Sequence, residues 1–200
     1  MKSLKSSAAR ARSAYNLKQI GLRIHNYRDS HENFPAPANY DADGKPLLSW
    51  RVHILQYMRG HERLYDQFHL NEPWDSEANQ KLIERMPGVF RSPGTRLQEK
   101  GLTSYVLPVG PDTVFPGAEG PVPEQIKNWR TAIMAVEVDD AHAVIWTKPE
   151  DLSFDPQRPL QGLDGPFDGG FHAMFCSGLV KFQELTQDLD TIRSLFTARR

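Results

Sequence analysis

The chain has 200 residues, 39% of them hydrophobic and 24% charged, with a formal net charge of −1. That size fits one compact domain or one domain plus an extension, and the balanced charge argues against nucleic acid as the partner of the whole chain. A single cysteine, Cys176, excludes an intramolecular disulfide, and no run approaches the 18 or so consecutive apolar residues of a membrane-spanning helix.

The most informative segment, NLKQIGLRIHNYRDSHENFPAP from Asn16 to Pro37, reads as a helix closed by an aromatic-proline stop. Leu17, Ile20, Ile24 and Tyr27 recur at three- and four-residue steps and so share one stripe. Upstream, SAARARSA is rich in helix formers, which starts the helix near Ser3 or Leu4 and gives it about 25 residues, roughly 40 Å. Lys2, Lys5, Arg10, Arg12, Lys18, Arg23 and Arg28 all precede the first acid, Asp29. The first half offers little apolar surface, so residues 1–35 are expected to form a helix whose basic first half projects from a body at 36–200. Arg10, Arg12, Lys18 and Arg23 are then the candidate partner-binding residues, toward another protein, a second copy or an anionic membrane surface. The start, MKSLKSSAARAR, lacks the apolar core of a secretory signal, so the chain as written reads as soluble.

Fifteen prolines and 14 glycines, most of them after residue 34, predict a loop-rich body with short strands. Asp43-Gly44 reads as a hairpin turn between two extended segments. Ser49 to Met58 reads as a helix capped by Ser49 and stopped at Arg59-Gly60, and Glu62 to Phe68 as a helical turn. Asp75 to Met86 is a stronger helix, with Asp75 or Ser76 as cap, a Glu77 to Lys81 pair and Pro87-Gly88 as the stop. Thr103–Gly110, Thr131–Val138, Ala141–Trp146 and Ala173–Leu185 are β-rich, the last folded at Ser177-Gly178. Asp188 to Ala198 closes the chain as an amphipathic helix with Leu189, Ile192, Leu195 and Phe196 inward. The fold class is α+β: a long N-terminal helix packed on an antiparallel sheet, with short helices in the middle and at the C-terminus.

Seven histidines show no HExxH or paired short spacing, and Asp139, Asp140 and His142 read as turn chemistry. Asp41, Asp43 and Gly44 lack the later acidic ligand of a calcium loop. Calcium is left with two weak oxygen donors, Asp164 and Asp168, beside Gly169 and Gly170; no other cofactor is indicated. Glu137, inside an apolar strand, either faces solvent or needs His142 or Lys148 to offset its desolvation. His172 and Cys176 on one strand face would stand about 13 Å apart, too far for direct proton transfer, and Cys176 reads as a packing residue. No phosphate-binding glycine motif occurs, and nothing assembles an enzyme. Trp50, Trp74 and Trp146 are the candidates for an aromatic ligand groove.

The order of these pieces resembles a large bacterial family of pilin-like proteins, domain of unknown function 1559, sometimes labelled solute-binding. The matching runs are NLKQIGLRIHNYRDSHENFP, DADGKPLLSWRVHILQYM, LYDQFHLNEPWDSEAN, TSYVLPVGPDTVFPG, IWTKPEDLSFDP and GGFHAMFCSGLVKF, reaching from about Arg10 to about Leu185. The resemblance implies a type II pseudopilin-like architecture and a cell-envelope, periplasmic-side setting. In that family the helix continues from a prepilin leader and a membrane segment, which this sequence lacks. The family's C-terminal signature, a histidine, nine residues and Asp-Gly, has Phe167 and Ser177-Gly178 in those places, so only the turn role of Gly178 carries over. The expected function is a noncatalytic structural or assembly protein; the alternative is an extracytoplasmic module that binds glycan or peptide in the aromatic groove.

Overall fold

The computed structural model describes the backbone of residues 2–198 and the side chains from Ser7 onward. Lys2 and Lys5 therefore lie, as side chains, outside the described residues. The first element, α1 (Lys2–His31), runs 30 residues, longer than the periodicity alone predicts, and it ends where Glu32 turns into the left-handed region at φ 64. A β-hairpin follows, β1 (Ala38–Tyr40) and β2 (Pro46–Ser49), turned by Gly44 as expected. Ser49 caps α2 (Trp50–His53) by accepting a hydrogen bond from the Arg51 amide, and a 3-10 turn at Ile54–Tyr57 completes that segment. Two short helices follow, α3 (Glu62–Tyr65) and α4 (Glu77–Gln80).

The helix expected over Asp75 to Met86 is thus cut to one turn after its Ser76 cap, with a 3-10 turn at Ile83–Arg85. The indole of Trp146 donates to the Ile83 oxygen at 2.9 Å and so ties that turn to the core. The strand expected over Thr103–Gly110 breaks likewise into β3 (Leu102–Thr103), β4 (Tyr105–Val106) and β5 (Pro108–Val109). There Arg51 occupies the Tyr105 carbonyl, Asp151 occupies the Leu107 amide, and Pro108 has no amide to give.

The remaining strands are β6 (Ile133–Glu137), β7 (Val144–Ile145), β8 (Leu152–Ser153), β9 (Gly170–Phe175) and β10 (Val180–Glu184), followed by α5 (Leu189–Phe196). Ala141–Trp146, expected as a strand, keeps only β7, because Asp139 caps a 3-10 turn at Asp140–His142. The main sheet has the order β10-β9-β6-β4 and is antiparallel throughout. β3 pairs antiparallel with β7, and β5 parallel with β8. The β9–β10 turn falls at Ser177-Gly178, with Gly178 at φ 81, a conformation that an L side chain resists.

Strand alternation sorts the sheet into two faces. Ala135, Met174 and Tyr105 join one core with Leu17, Ile20 and Ile24 of α1. Val106, Val136, Phe171, Ala173 and Phe175 join a second core with Ile192 and Phe196 of α5. The fold is therefore three layers, α1, sheet and α5, which is the α+β arrangement the pattern predicts. Leu189 departs from that pattern: it is 47% exposed rather than inward, because α5 starts at this residue and its packed stripe begins a turn later. Burial of Leu17, Ile20 and Ile24, all fully inaccessible, contributes about 2 kcal/mol each.

Candidate functional site

α1 comes close enough to the sheet to touch it because Gly21 has no side chain: a Cβ there would stand 2.2 Å from the Met174 sulfur. One turn and more toward its N-terminus, the helix meets polar side chains instead. Tyr105 of β4 and Glu137 of β6 are register partners, and Phe182 of β10 is the partner of His172 of β9. Glu137 and His172 face each other across β6 and β9, with His172 Nδ1 donating to Glu137 Oε2 at 2.6 Å. Tyr105, Glu137, His172 and Phe182 thus form one row across all four strands, beneath residues 10–13 of α1.

Each member of the row is held. Ser92 Oγ donates to the other Glu137 oxygen at 2.5 Å, so both oxygens of this fully buried carboxylate are engaged. Ser13 Oγ and the Tyr105 hydroxyl share a hydrogen bond of 2.9 Å, and Asn16 Nδ2 donates to the Arg91 carbonyl at 3.2 Å. Burial, then the nearby Glu137 charge, pushes the Tyr105 phenol well above its ordinary value, so it remains a neutral hydroxyl. At the far end the Arg10 guanidinium lies 4.3 Å from the Phe182 ring centre. Glu137 is therefore neither solvent-facing nor paired with His142 or Lys148, as its sequence setting suggested. Its partners come from strand register, which places His172 opposite it; the in-phase alternation of Glu137 with Ala135 and of His172 with Met174 was the signal that could have found them.

Ser92 gives its proton to a carboxylate rather than to a histidine, and Cys176 is fully buried, with burial pushing its thiol up to about 12. His142, from the other cluster, is held by its cap: Asp139 Oδ1 lies 2.7 Å from Nδ1, while Asp140 accepts from Thr95 Oγ1 and the Arg96 amide.

A second buried polar centre lies behind β4. Arg51 Nη2 donates to Asp151 Oδ1 at 2.8 Å, with both side chains almost inaccessible. Arg51 also serves the Tyr105 and Glu150 carbonyls and the Ser49 hydroxyl, and Asp151 Oδ1 also accepts from the Trp50 indole and the Leu107 amide. Burial raises the Asp151 carboxyl and lowers the Arg51 guanidinium from their ordinary values, each opposed by the charge of the other. Asp151 also lines a 390 Å³ pocket with Tyr40, Phe115 and Ser153.

The outer surface of α1 is left open. Ala8, Ala11, Tyr15, Lys18 and Leu22 are all exposed and fall at alternating three- and four-residue steps, forming a ridge in which Tyr15 is 61% and Leu22 47% exposed. Two grooves flank it. One, of 290 Å³, runs along β10 between Arg10 and His172. The other, of 300 Å³, runs toward Met58 and Val89, with Arg12, Arg23, Arg59 and His61 on its walls.

The candidate residues thus fall in different places. Arg12 and Arg23 share one groove, Arg10 lies in the other, and Lys18 stands on the ridge between them. Trp50 and Trp146 cannot line a ligand groove: both are fully buried, in edge-on or stacked contact with Phe90. Trp74 is half-buried, with Lys148 Nζ 5.7 Å from its ring centre. Asp164 and Asp168 are exposed, Gly169 is exposed at φ 82, and Gly170 opens β9. Among the described residues no group of three or more His, Cys, Asp or Glu side chains is placed to hold a metal ion, and no helix is long and apolar enough to cross a membrane.

A family profile matches residues 3–133, which span α1, both early hairpin strands and the chain up to the first residue of β6. The chain belongs to the family described as Protein of unknown function (DUF1559). Within the DUF1559 match lie Ser13, Asn16, Ser92 and Tyr105 of the buried row; Glu137 and His172 lie beyond it. No curated protein and no solved structure matches the chain.

Proposed function

We propose that this DUF1559 member is a noncatalytic, pilin- or pseudopilin-like structural or assembly protein of the bacterial cell envelope, which associates through the outer ridge of α1. The observation that carries this reading is the division of labour on one helix. Its inner face is fixed by Leu17, Ile20, Ile24, Gly21 and Ser13, while Ala8, Ala11, Tyr15, Lys18 and Leu22 remain in solvent at the spacing of a helix-packing seam. A noncatalytic role is supported by the burial of the Ser92, Glu137 and His172 group and by the raised Cys176 thiol.

The test is sedimentation velocity across a concentration series, on the wild-type chain and on Tyr15→Glu/Leu22→Glu. Both side chains are exposed, so the variant should keep its melting temperature and its circular dichroism while losing association. A wild-type chain that stays monomeric at high concentration, or a variant that associates as the wild type does, would overturn the reading.

A further inference from the structure

We infer that the groove between α1 and the Met58 and Val89 segments is a docking site for an extended acidic peptide. The inference rests on the reading of α1 as an association surface, and it adds the chemistry of one partner. Its first support is unspent charge. Arg12 and Arg23 make no hydrogen bond or ion pair with any described residue, whereas Arg28, Arg51, Arg158 and Arg193 each hold a carboxylate. No acidic side chain lines the groove. Arg59, on the opposite wall, feels the field of Glu62, whose carboxylate is turned to the Gly60 amide at 2.7 Å. Cations gathered in one groove repel one another, and an anion placed between them relieves that repulsion.

The second support is dimension. Arg12 and Arg23 are eleven residues apart on α1, so their Cα atoms are separated by about 16 Å along the axis. An extended chain advances about 3.3 Å per residue, which makes the groove about five residues long and sets the two cations to meet carboxylates near its ends. A lone phosphate needs its donors to converge within a few ångströms. A bilayer surface is flat, while the floor here, Met58, is recessed and only 4% exposed. Between the arginines, Gln19 carries a side-chain amide with no hydrogen bond to any described residue, suited to a peptide backbone, and Met58 and Val89 offer an apolar seat for a central side chain.

The third support is charge segregation. Seven cations and no acid precede Asp29, so a chain of net charge −1 carries −8 over residues 29–200. The cations of α1 are thus gathered on one element of an otherwise acidic molecule, which favours acidic segments that reach α1 alone.

The test is fluorescence anisotropy of labelled acetyl-Asp-Asp-Leu-Glu-Asp titrated with the full chain at low salt. The lysine counterpart, acetyl-Lys-Lys-Leu-Lys-Lys, inorganic phosphate and phosphatidylserine vesicles are run beside it. Saturable binding of the acidic peptide, weakened about tenfold in Arg12→Gln/Arg23→Gln and within about twofold of wild type in Lys45→Gln, an exposed cation of the β1–β2 turn, is the expected result. No binding of the acidic peptide, equal binding by the double variant, or binding of vesicles or phosphate in its place overturns the proposal. The ridge variant separates the two readings. If Tyr15→Glu/Leu22→Glu abolishes association while the acidic peptide fails to bind, only the groove proposal falls; if the peptide binds while the ridge variant still associates, only the ridge proposal falls.

Discussion

Replacing Arg51 by methionine should destabilise the chain severely, and the reason is local. Methionine fills much of the volume but removes the donors that reach Asp151, the Tyr105 and Glu150 carbonyls and the Ser49 hydroxyl. Asp151 keeps the Trp50 indole and the Leu107 amide, yet its charge is left buried without a counter-ion. Breaking one side of such a pair costs about 3–5 kcal/mol, a large share of the roughly 5–15 kcal/mol of a typical domain. Arg51→Met/Asp151→Leu, which removes both charges, should recover much of that loss. The single variant should also carry a pH signature. With Arg51 gone, burial alone raises the Asp151 carboxyl above its unfolded value, so the folded state holds a proton that the unfolded state has released. Stability from that proton is present at low pH and lost as pH rises, so the deficit against wild type should shrink between pH 7 and pH 5. Urea unfolding of wild type, single and double variants at both pH values measures all three quantities. A deficit below about 1 kcal/mol, or one that grows toward pH 5, would refute the reasoning.

Acid should act through His53, which burial lowers to about 4 while Nε2 stays bonded to the Asn39 amide oxygen. Here the unfolded state binds the proton first, so the stability is complete above pH 6.5 and falls by about 3 kcal/mol as pH drops toward 4; urea unfolding should show that component missing from His53→Gln. His25, also lowered by burial, acts in the same direction. Gly21→Leu should cost about 1–3 kcal/mol in a thermal melt, since even a Cβ meets the Met174 sulfur at 2.2 Å, and an unchanged melt would show that α1 is not seated at that point. Glu137→Gln should cost about 1–3 kcal/mol in chemical denaturation, because an amide has one acceptor oxygen where Ser92 and His172 need two; an isoenergetic variant would mean the row is slack.

What the sequence disclosed was the set of features that neighbouring residues decide together. The stripe of Leu17, Ile20 and Ile24, the Asp43-Gly44 and Ser177-Gly178 turns, and the caps at Ser49 and Ser76 all depend on residues within a few positions of one another. Where it misled, a distant side chain had captured a backbone group. Arg51 and Asp151 take the Tyr105 carbonyl and the Leu107 amide, so a strand that looks continuous is interrupted. The tryptophans misled for another reason: aromatic count carries no sign of inside or outside, and Trp50 and Trp146 are both core. Of the candidate site, the cations of α1 were legible and their division into two grooves was not, because that division depends on where α1 lies on the body.

That placement is where the buried polar row acts. An apolar stripe alone tolerates sliding and rotation of a helix, since one leucine contact replaces another at little difference in energy. A hydrogen bond does not transfer so easily: moving Ser13 by one residue would strand the Tyr105 hydroxyl, and Arg10 would leave the Phe182 ring. Tyr105 and Phe182, the two ends of the row that Glu137 and His172 join, therefore fix the register of α1 as well as its attachment, and fixing the register decides which residues face outward. Ala8, Tyr15 and Leu22 form a ridge, and Arg12 and Arg23 share a groove, only in this one register. A buried polar group thus sets the geometry of a surface more than a helix turn away, which is why Glu137→Gln should disturb association and peptide binding even though neither surface contains Glu137.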